Sequence, residues 1–148
     1  MEIRNPDFIN YVKSKIRLNK YMQHLGFEIY EIKHGETRGR LEMKELHHQQ
    51  NGFLHGGVIS ALCDMAGGFA AYSVVAPDEF VFTVEIKVSY FNPGKAKNYE
   101  VIGKVVKAGK RFCFCESEIV DEHQQIIAKS TMTMAVRKAD RSVSGNNK

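Results

Sequence analysis

The chain has 148 residues, of which 43% are hydrophobic and 26% charged, with a formal net charge of +4. That length is one ordinary globular domain with a single sizeable core, and the composition excludes disordered and fibrous classes. The charge is mild and dispersed, with no accompanying nucleic-acid motif, and the longest apolar run, residues 58–76, is broken by Ser60, Asp64, Gly67, Gly68, Tyr72 and Ser73, which makes a poor membrane span.

Asn5-Pro6-Asp7 reads as a helix start: a capping amide, a proline in the first turn and an acid on the helix dipole. Phe8, Ile9, Val12 and Ile16 then recur at helical spacing through about Lys20. Leu25-Gly26-Phe27 opens a strand expected over residues 27–32, His34-Gly35-Glu36 turns the chain, and Thr37 to Met43 forms a second strand. Lys44 to Leu54 is a polar loop. A long apolar helix follows from Gly56 to about Val75, ending before the breaker pair Pro77-Asp78. Its Gly67-Gly68 pair is costly in a helix and is expected to mark a close approach to a second helix at a dimer axis, ahead of the alternative, a substrate groove.

Phe80 to Phe91 reads as a strand with Phe82, Val84, Ile86, Val88 and Tyr90 on one face. Asn92-Pro93-Gly94 is a turn. Asn98 to Lys107, Arg111 to Val120 and Gln125 to Val136 follow as strands in hairpin order, joined by turns at Ala108-Gly109-Lys110 and Asp121-Glu122-His123. Residues 1–138 are expected to form the domain, with residues 1–20 as its N-terminal helix, and residues 139–148 a frayed polar tail.

Hairpins demand an antiparallel sheet, and a helix apolar on most of its surface must be enclosed. A sheet curled around one buried helix satisfies both constraints, so an α+β fold is expected. Cys63, Cys113 and Cys115 form no disulfide ladder; they read as buried reduced thiols, with Cys113 and Cys115 expected on opposite faces of their strand. His47-His48 is not a metal pair, because adjacent side chains diverge and no acid or cysteine completes a set. The N-terminus carries no signal-peptide pattern, so a cytoplasmic protein is expected.

The stretch Asn51-Gly52-Phe53-Leu54-His55-Gly56-Gly57 carries the chemistry. It is a glycine-rich loop of free backbone N–H groups running into a helix N-terminus, a ready oxyanion binder. Asp64 is a lone carboxylate within the apolar helix, which is expensive unless it has a partner or a task. Together they suggest chemistry on a carbonyl.

His55-Gly56-Gly57 opening a buried helix, with an acid nine residues after the histidine, resembles the hotdog-fold acyl-CoA thioesterases, most closely the PaaI-type branch of the 4-hydroxybenzoyl-CoA thioesterase superfamily. The resemblance spans about Leu25 to Arg137 and implies a curved antiparallel sheet wrapped around one central helix, with the N-terminal helix as an addition. It implies hydrolysis of a small aromatic or medium-chain acyl-CoA. Gly56 would present its N–H to the thioester carbonyl, and His55 would lie beside it and shape the loop. Asp64 would be nucleophile or general base. Gln49 would supply an amide near the reacting centre, and Thr83 would help hold the water by the acid. Gly57 would also meet substrate. Lys107, Lys110 and Arg111, with Asn92 and Lys95 on a neighbouring turn, are candidates for the coenzyme A phosphates, although a solvated hairpin would look the same. No cofactor is implied, because coenzyme A is part of the substrate.

Spacing adds a constraint. Gly56 and Asp64 are eight residues apart, about 12 Å along a helix, whereas both must lie about 3 Å from one carbonyl. A partner chain's Asp64 could meet the first chain's Gly56, so an obligate homodimer is expected, and the resemblance implies dimers that pair further into tetramers. Neither nucleic acid nor membrane is expected as a partner. A non-catalytic acyl-CoA sensor and a hydroxyacyl dehydratase are the competing functions.

Overall fold

The computed structural model describes residues 1–139, in which one antiparallel sheet curls around a single long helix. The elements in chain order are α1 (Phe8–Leu18), α2 (Lys20–Leu25), β1 (Glu28–Lys33), β2 (Glu36–Glu42), a 3-10 turn (Glu45–His47), α3 (Gly56–Tyr72), β3 (Glu79–Tyr90), β4 (Asn98–Ala108), β5 (Phe112–Asp121) and β6 (Ile126–Lys138). This is the hotdog architecture expected. The tail expected to fray lies, beyond Ala139, outside the described residues.

The N-terminal region departs from the single helix expected through Lys20. Asn19 breaks it: its side chain accepts the Met22 N–H at 2.9 Å and caps a second short helix, which Gly26 ends in the left-handed conformation (φ +72°). Asn5 is not the cap of α1. It is buried and makes a local turn in which its Oδ1 accepts the Asp7 N–H at 3.0 Å. The central helix also stops earlier than expected, at Tyr72.

The sheet runs β1-β2-β4-β5-β6-β3, antiparallel throughout. The expected hairpin order fails at one point: β3 does not pair with β4. β2 and β5 occupy both edges of β4, so β3 closes against the free edge of β6 and becomes an edge strand, as β1 is at the other end.

Nor does β3 carry a single stripe. The ladder skips between Thr83 and Glu85, leaving Val84 as an extra, bulged residue. Before the bulge the odd residues Val81 and Thr83 face α3; after it the even residues Ile86, Val88 and Tyr90 do, while Phe82 and Val84 are exposed.

The helix is held at backbone distance from the sheet. A Cβ on Gly103 of β4 would collide with the backbone of Ala66, so only glycine permits this approach. Two sheet hydroxyls bond α3 carbonyls on either side of Asp64: Ser117 Oγ to Cys63 O and Thr37 Oγ1 to Ala66 O, both at 2.8 Å. Gly67 also faces the sheet, where a Cβ would collide with the Met132 Cε. Its close approach is therefore to β6 of its own chain, not to a second helix. Cys113 and Cys115 are both buried, which corrects the expectation of opposite faces: residues two apart in a strand share one face. No helix among the described residues is long and apolar enough to cross a membrane.

Candidate active site

The loop ahead of α3 is anchored by a histidine. His47 is fully buried; its Nδ1 accepts the Lys44 N–H at 2.9 Å, and its Nε2 lies 2.7 Å from the Leu25 carbonyl. One ring nitrogen meets a donor and the other an acceptor, which suits a neutral ring protonated on Nε2. The His47 carbonyl in turn accepts the His55 N–H at 2.8 Å. Between them the chain folds back at Gly52, whose φ of +81° favours glycine, with Gln49 N–H on Phe53 O at 2.8 Å.

His55 caps α3. Its Nδ1 accepts the Gly57 N–H at 2.8 Å, and a Cβ on Gly57 would sit only 3.0 Å from that nitrogen. The Gly57 N–H is thus engaged within the chain. The Gly56 N–H has no hydrogen-bond partner among the described residues, and it stands at the positive end of the helix dipole. Tyr90 braces this turn from β3, its hydroxyl donating to Gly56 O at 3.1 Å and lying 2.6 Å from Ser60 Oγ.

Asp64 lies two turns along the unbroken helix, about 12 Å from Gly56 by helical rise. Its Oδ1 accepts the Thr83 hydroxyl at 2.6 Å. That leaves Oδ2 without a hydrogen bond among the described residues. Asp64 falls on the one stripe of α3 left uncovered by the sheet: Gly57, Ser60, Ala61, Asp64, Gly68 and Tyr72. Beside it opens a cavity of about 150 Å³, lined by Asn19, Met65, Gly68, Phe69, Tyr72, Val81, Thr83 and Met134.

The other expected residues are dispersed. The Gln49 side chain is turned into its own loop, where Oε1 accepts the Asn51 N–H. Asn92 closes onto the start of β6, with Nδ2 on Ile126 O at 2.8 Å. The Lys95 ammonium stands 5.4 Å from the Phe53 ring centroid. Lys107, Lys110 and Arg111 are exposed around the β4–β5 hairpin. This hairpin lies toward the C-terminal end of α3, where Val105 bonds Gly35 and Gly35 bonds Ser73; a single chain therefore separates these cations from Gly56. Sequence reasoning gave no role to His47, Tyr90 or Asn19. Only Asn19 carried a readable signal, an asparagine followed seven residues later by Gly26.

A curled antiparallel sheet, a buried helix and a glycine turn at its N-terminus define the class. The chain belongs to the thioesterase superfamily, whose family model matches residues 51–128. It is therefore a thioester hydrolase. It is 32% identical over 114 residues to a 1,4-dihydroxy-2-naphthoyl-CoA hydrolase of Listeria monocytogenes, a match covering 77% of this chain and 93% of that protein. It is also 27% identical over 96 residues to the medium/long-chain acyl-CoA thioesterase YigI of Escherichia coli, covering 56% of this chain and 62% of that one. Among solved structures, a thioesterase family protein from Silicibacter pomeroyi superposes with a TM-score of 0.86 at 27% identity, over 89% of this chain and 99% of that one.

Proposed function

We propose that the protein hydrolyses the thioester of an aromatic or medium-chain acyl-CoA, the preference of the PaaI-type branch, at two sites shared across a homodimer. The observation that carries this reading is the pairing of Asp64 with Thr83 on the uncovered stripe of α3, two turns from the unengaged Gly56 N–H. The thioester carbonyl oxygen takes the Gly56 N–H of one subunit. Asp64 of the other accepts a proton from water as the water oxygen bonds the carbonyl carbon. The tetrahedral oxyanion is stabilised by that N–H, worth roughly 3–4 kcal/mol for one well-placed donor. Collapse breaks the C–S bond, and the thiolate takes the proton back from Asp64, giving free acid and coenzyme A thiol. The unused Oδ2 of Asp64 suits general-base attack by water better than it argues for a covalent anhydride.

The dimer is supported by β3. It is a twelve-residue edge strand with one unpaired side and exposed Phe82, Val84 and Tyr90, the kind of edge that proteins cover. Pairing two β3 edges brings the open helical stripes of two chains together and sets one chain's Gly56 against the other's Asp64. The outer sheet face adds a second surface. Phe82 and Phe112 flank Ala135 in adjacent strands, with Phe114 and Val84 beside them, an apolar patch suited to pairing dimers into tetramers.

Thiol release from an acyl-CoA panel, followed with a thiol reagent, tests the activity for wild type and Asp64→Ala. The expected result is turnover by wild type and a loss of at least a hundredfold in the variant. Acyl-CoA binding without thiol release by wild type would identify a sensor instead, and full activity in Asp64→Ala would remove Asp64 from the mechanism. Sedimentation of wild type as a monomer would sink the shared site.

A further inference from the structure

The paired glycines of α3 have different surroundings. Gly67 is tightly packed: a Cβ there would displace the Met132 Cε and lie 3.2 Å from Ser117 Oγ. Gly68 is not: the nearest atom to its added Cβ would be Met134 Cε at 3.7 Å, ordinary contact. It sits mid-helix, where glycine is the poorest former apart from proline. Its φ is not in the left-handed region, so no backbone conformation demands it either. What occupies the space a side chain would fill is the cavity beside Asp64.

Asp64, Gly68 and Tyr72 succeed one another at intervals of four residues and so share one face of α3. The cavity runs along that face, with Gly68 as its floor and Tyr72 at the end remote from Gly56. Tyr72 is backed by the N-terminal helix: Tyr11 meets it edge to face with ring centroids 6.0 Å apart, and Phe69 lies 6.2 Å away on its own helix. Tyr11 is itself held, its hydroxyl donating to the Glu79 carbonyl. The Glu79 carboxylate is bound by Arg4 at 2.7 Å and by the Ala76 N–H at 3.0 Å, so the wall behind Tyr72 is braced from both sides.

We infer that Gly68 and Tyr72 set the acyl specificity of the site, Gly68 by leaving room for the acyl group and Tyr72 by ending the pocket after about one six-membered ring. The inference rests on the thioesterase reading above and names its substrate class: single-ring aroyl groups and acyl chains of comparable length. Size decides between the alternatives. The open cleft of about 150 Å³, polar at Asp64 and Thr83 and apolar along Met65, Phe69, Tyr72, Val81 and Met134, has the volume of one benzene-sized group. A long acyl chain exceeds this volume, and the braced tyrosine pair stands in the way of extension toward the N-terminal helix.

The test measures kcat/KM for acetyl-, hexanoyl-, benzoyl- and dodecanoyl-CoA, together with the affinity of non-hydrolysable thioether analogues of the same four groups. Wild type is expected to prefer hexanoyl and benzoyl over dodecanoyl at least tenfold in both measurements. Gly68→Leu fills the floor and is expected to lose benzoyl and hexanoyl at least thirtyfold relative to acetyl. Tyr72→Ala opens the end and is expected to raise the dodecanoyl-to-hexanoyl ratio at least tenfold, whereas Tyr72→Phe, which keeps the ring, retains the wild-type ranking. A wild type that favours dodecanoyl, or a Tyr72→Ala ratio equal to wild type, overturns the inference. Thioether analogues ranked as expected with no thiol released from any acyl-CoA would leave the pocket assignment standing and sink the hydrolase reading alone.

Discussion

Replacing each of the two glycines by alanine separates a tightly packed position from one left open. Either substitution removes the helix penalty of glycine, about 1 kcal/mol in favour of the variant. At Gly68 nothing opposes that gain within the chain, because the new methyl would stand 3.7 Å from Met134 Cε. Gly68→Ala should therefore be more stable than wild type by about 1 kcal/mol, a rise in Tm of about 2–4 °C at this chain length. At Gly67 the new methyl meets the Met132 side chain and a Ser117 hydroxyl that is itself tied to the Cys63 carbonyl at 2.8 Å. Overpacking of this kind costs about 1–3 kcal/mol, so Gly67→Ala should be less stable than wild type by about 1 kcal/mol, leaving the two variants about 6 °C apart. Thermal unfolding followed by circular dichroism at fixed protein concentration reads the difference. If Gly68→Ala melts several degrees below wild type, Gly68 packs against something outside its own chain, and the close helix–helix approach expected from sequence returns in place of the cavity.

Thr83→Val should lower kcat about ten- to hundredfold, since it removes one hydrogen bond to a carboxylate, worth about 1.5–3 kcal/mol; a kcat within twofold of wild type would mean that the Thr83 contact is incidental. His47→Ala should destabilise the fold by about 3 kcal/mol in urea unfolding, through two lost hydrogen bonds and a cavity at a fully buried site, and a loss below 1 kcal/mol would refute its role as the loop's anchor. Burial pushes the Cys63 thiol up to about 11 and the Cys115 thiol to about 12, from an ordinary value of 9.0. Native protein should therefore be inert to a thiol reagent at pH 8 and react at all three cysteines once unfolded. The same shifts stabilise the fold fully below pH 9, and that contribution is lost as pH rises toward 11–12; a unfolding free energy that climbs from pH 9 to 10 would contradict them.

The hotdog architecture was legible because its signals are local. Apolar residues all round α3, breakers at Pro77-Asp78 and turn residues between the strands each act within a few positions. Strand order was not, because β3 meets β6 across a separation that no turn signal spans. The bulge at Val84 hid the inward face of β3, since alternation read from the chain assumes one residue per rung. The sharing of one face by Cys113 and Cys115 needed only correct counting. At the candidate site, the loop, the cap and the acid were visible as residue types. The difference between Gly67 and Gly68 lies in Met132, 65 residues from Gly67, and the anchoring of His47 lies in a carbonyl at Leu25. Sequence names such partners without saying that they meet.

The extra residue in β3 has a consequence for how this strand can change. The ladder needs one residue fewer than the chain supplies between Thr83 and Glu85. Loss of Val84 would leave Thr83 facing Asp64 and Ile86 facing the core, merely straightening the edge. Loss of Phe82 instead would restore an unbroken alternation with Val84 in the place of Thr83, a strand as regular as before but with a methyl group where the carboxylate had its hydroxyl. Two deletions a pair of positions apart, equal in the number of rungs they leave, would thus differ in whether Asp64 keeps its partner.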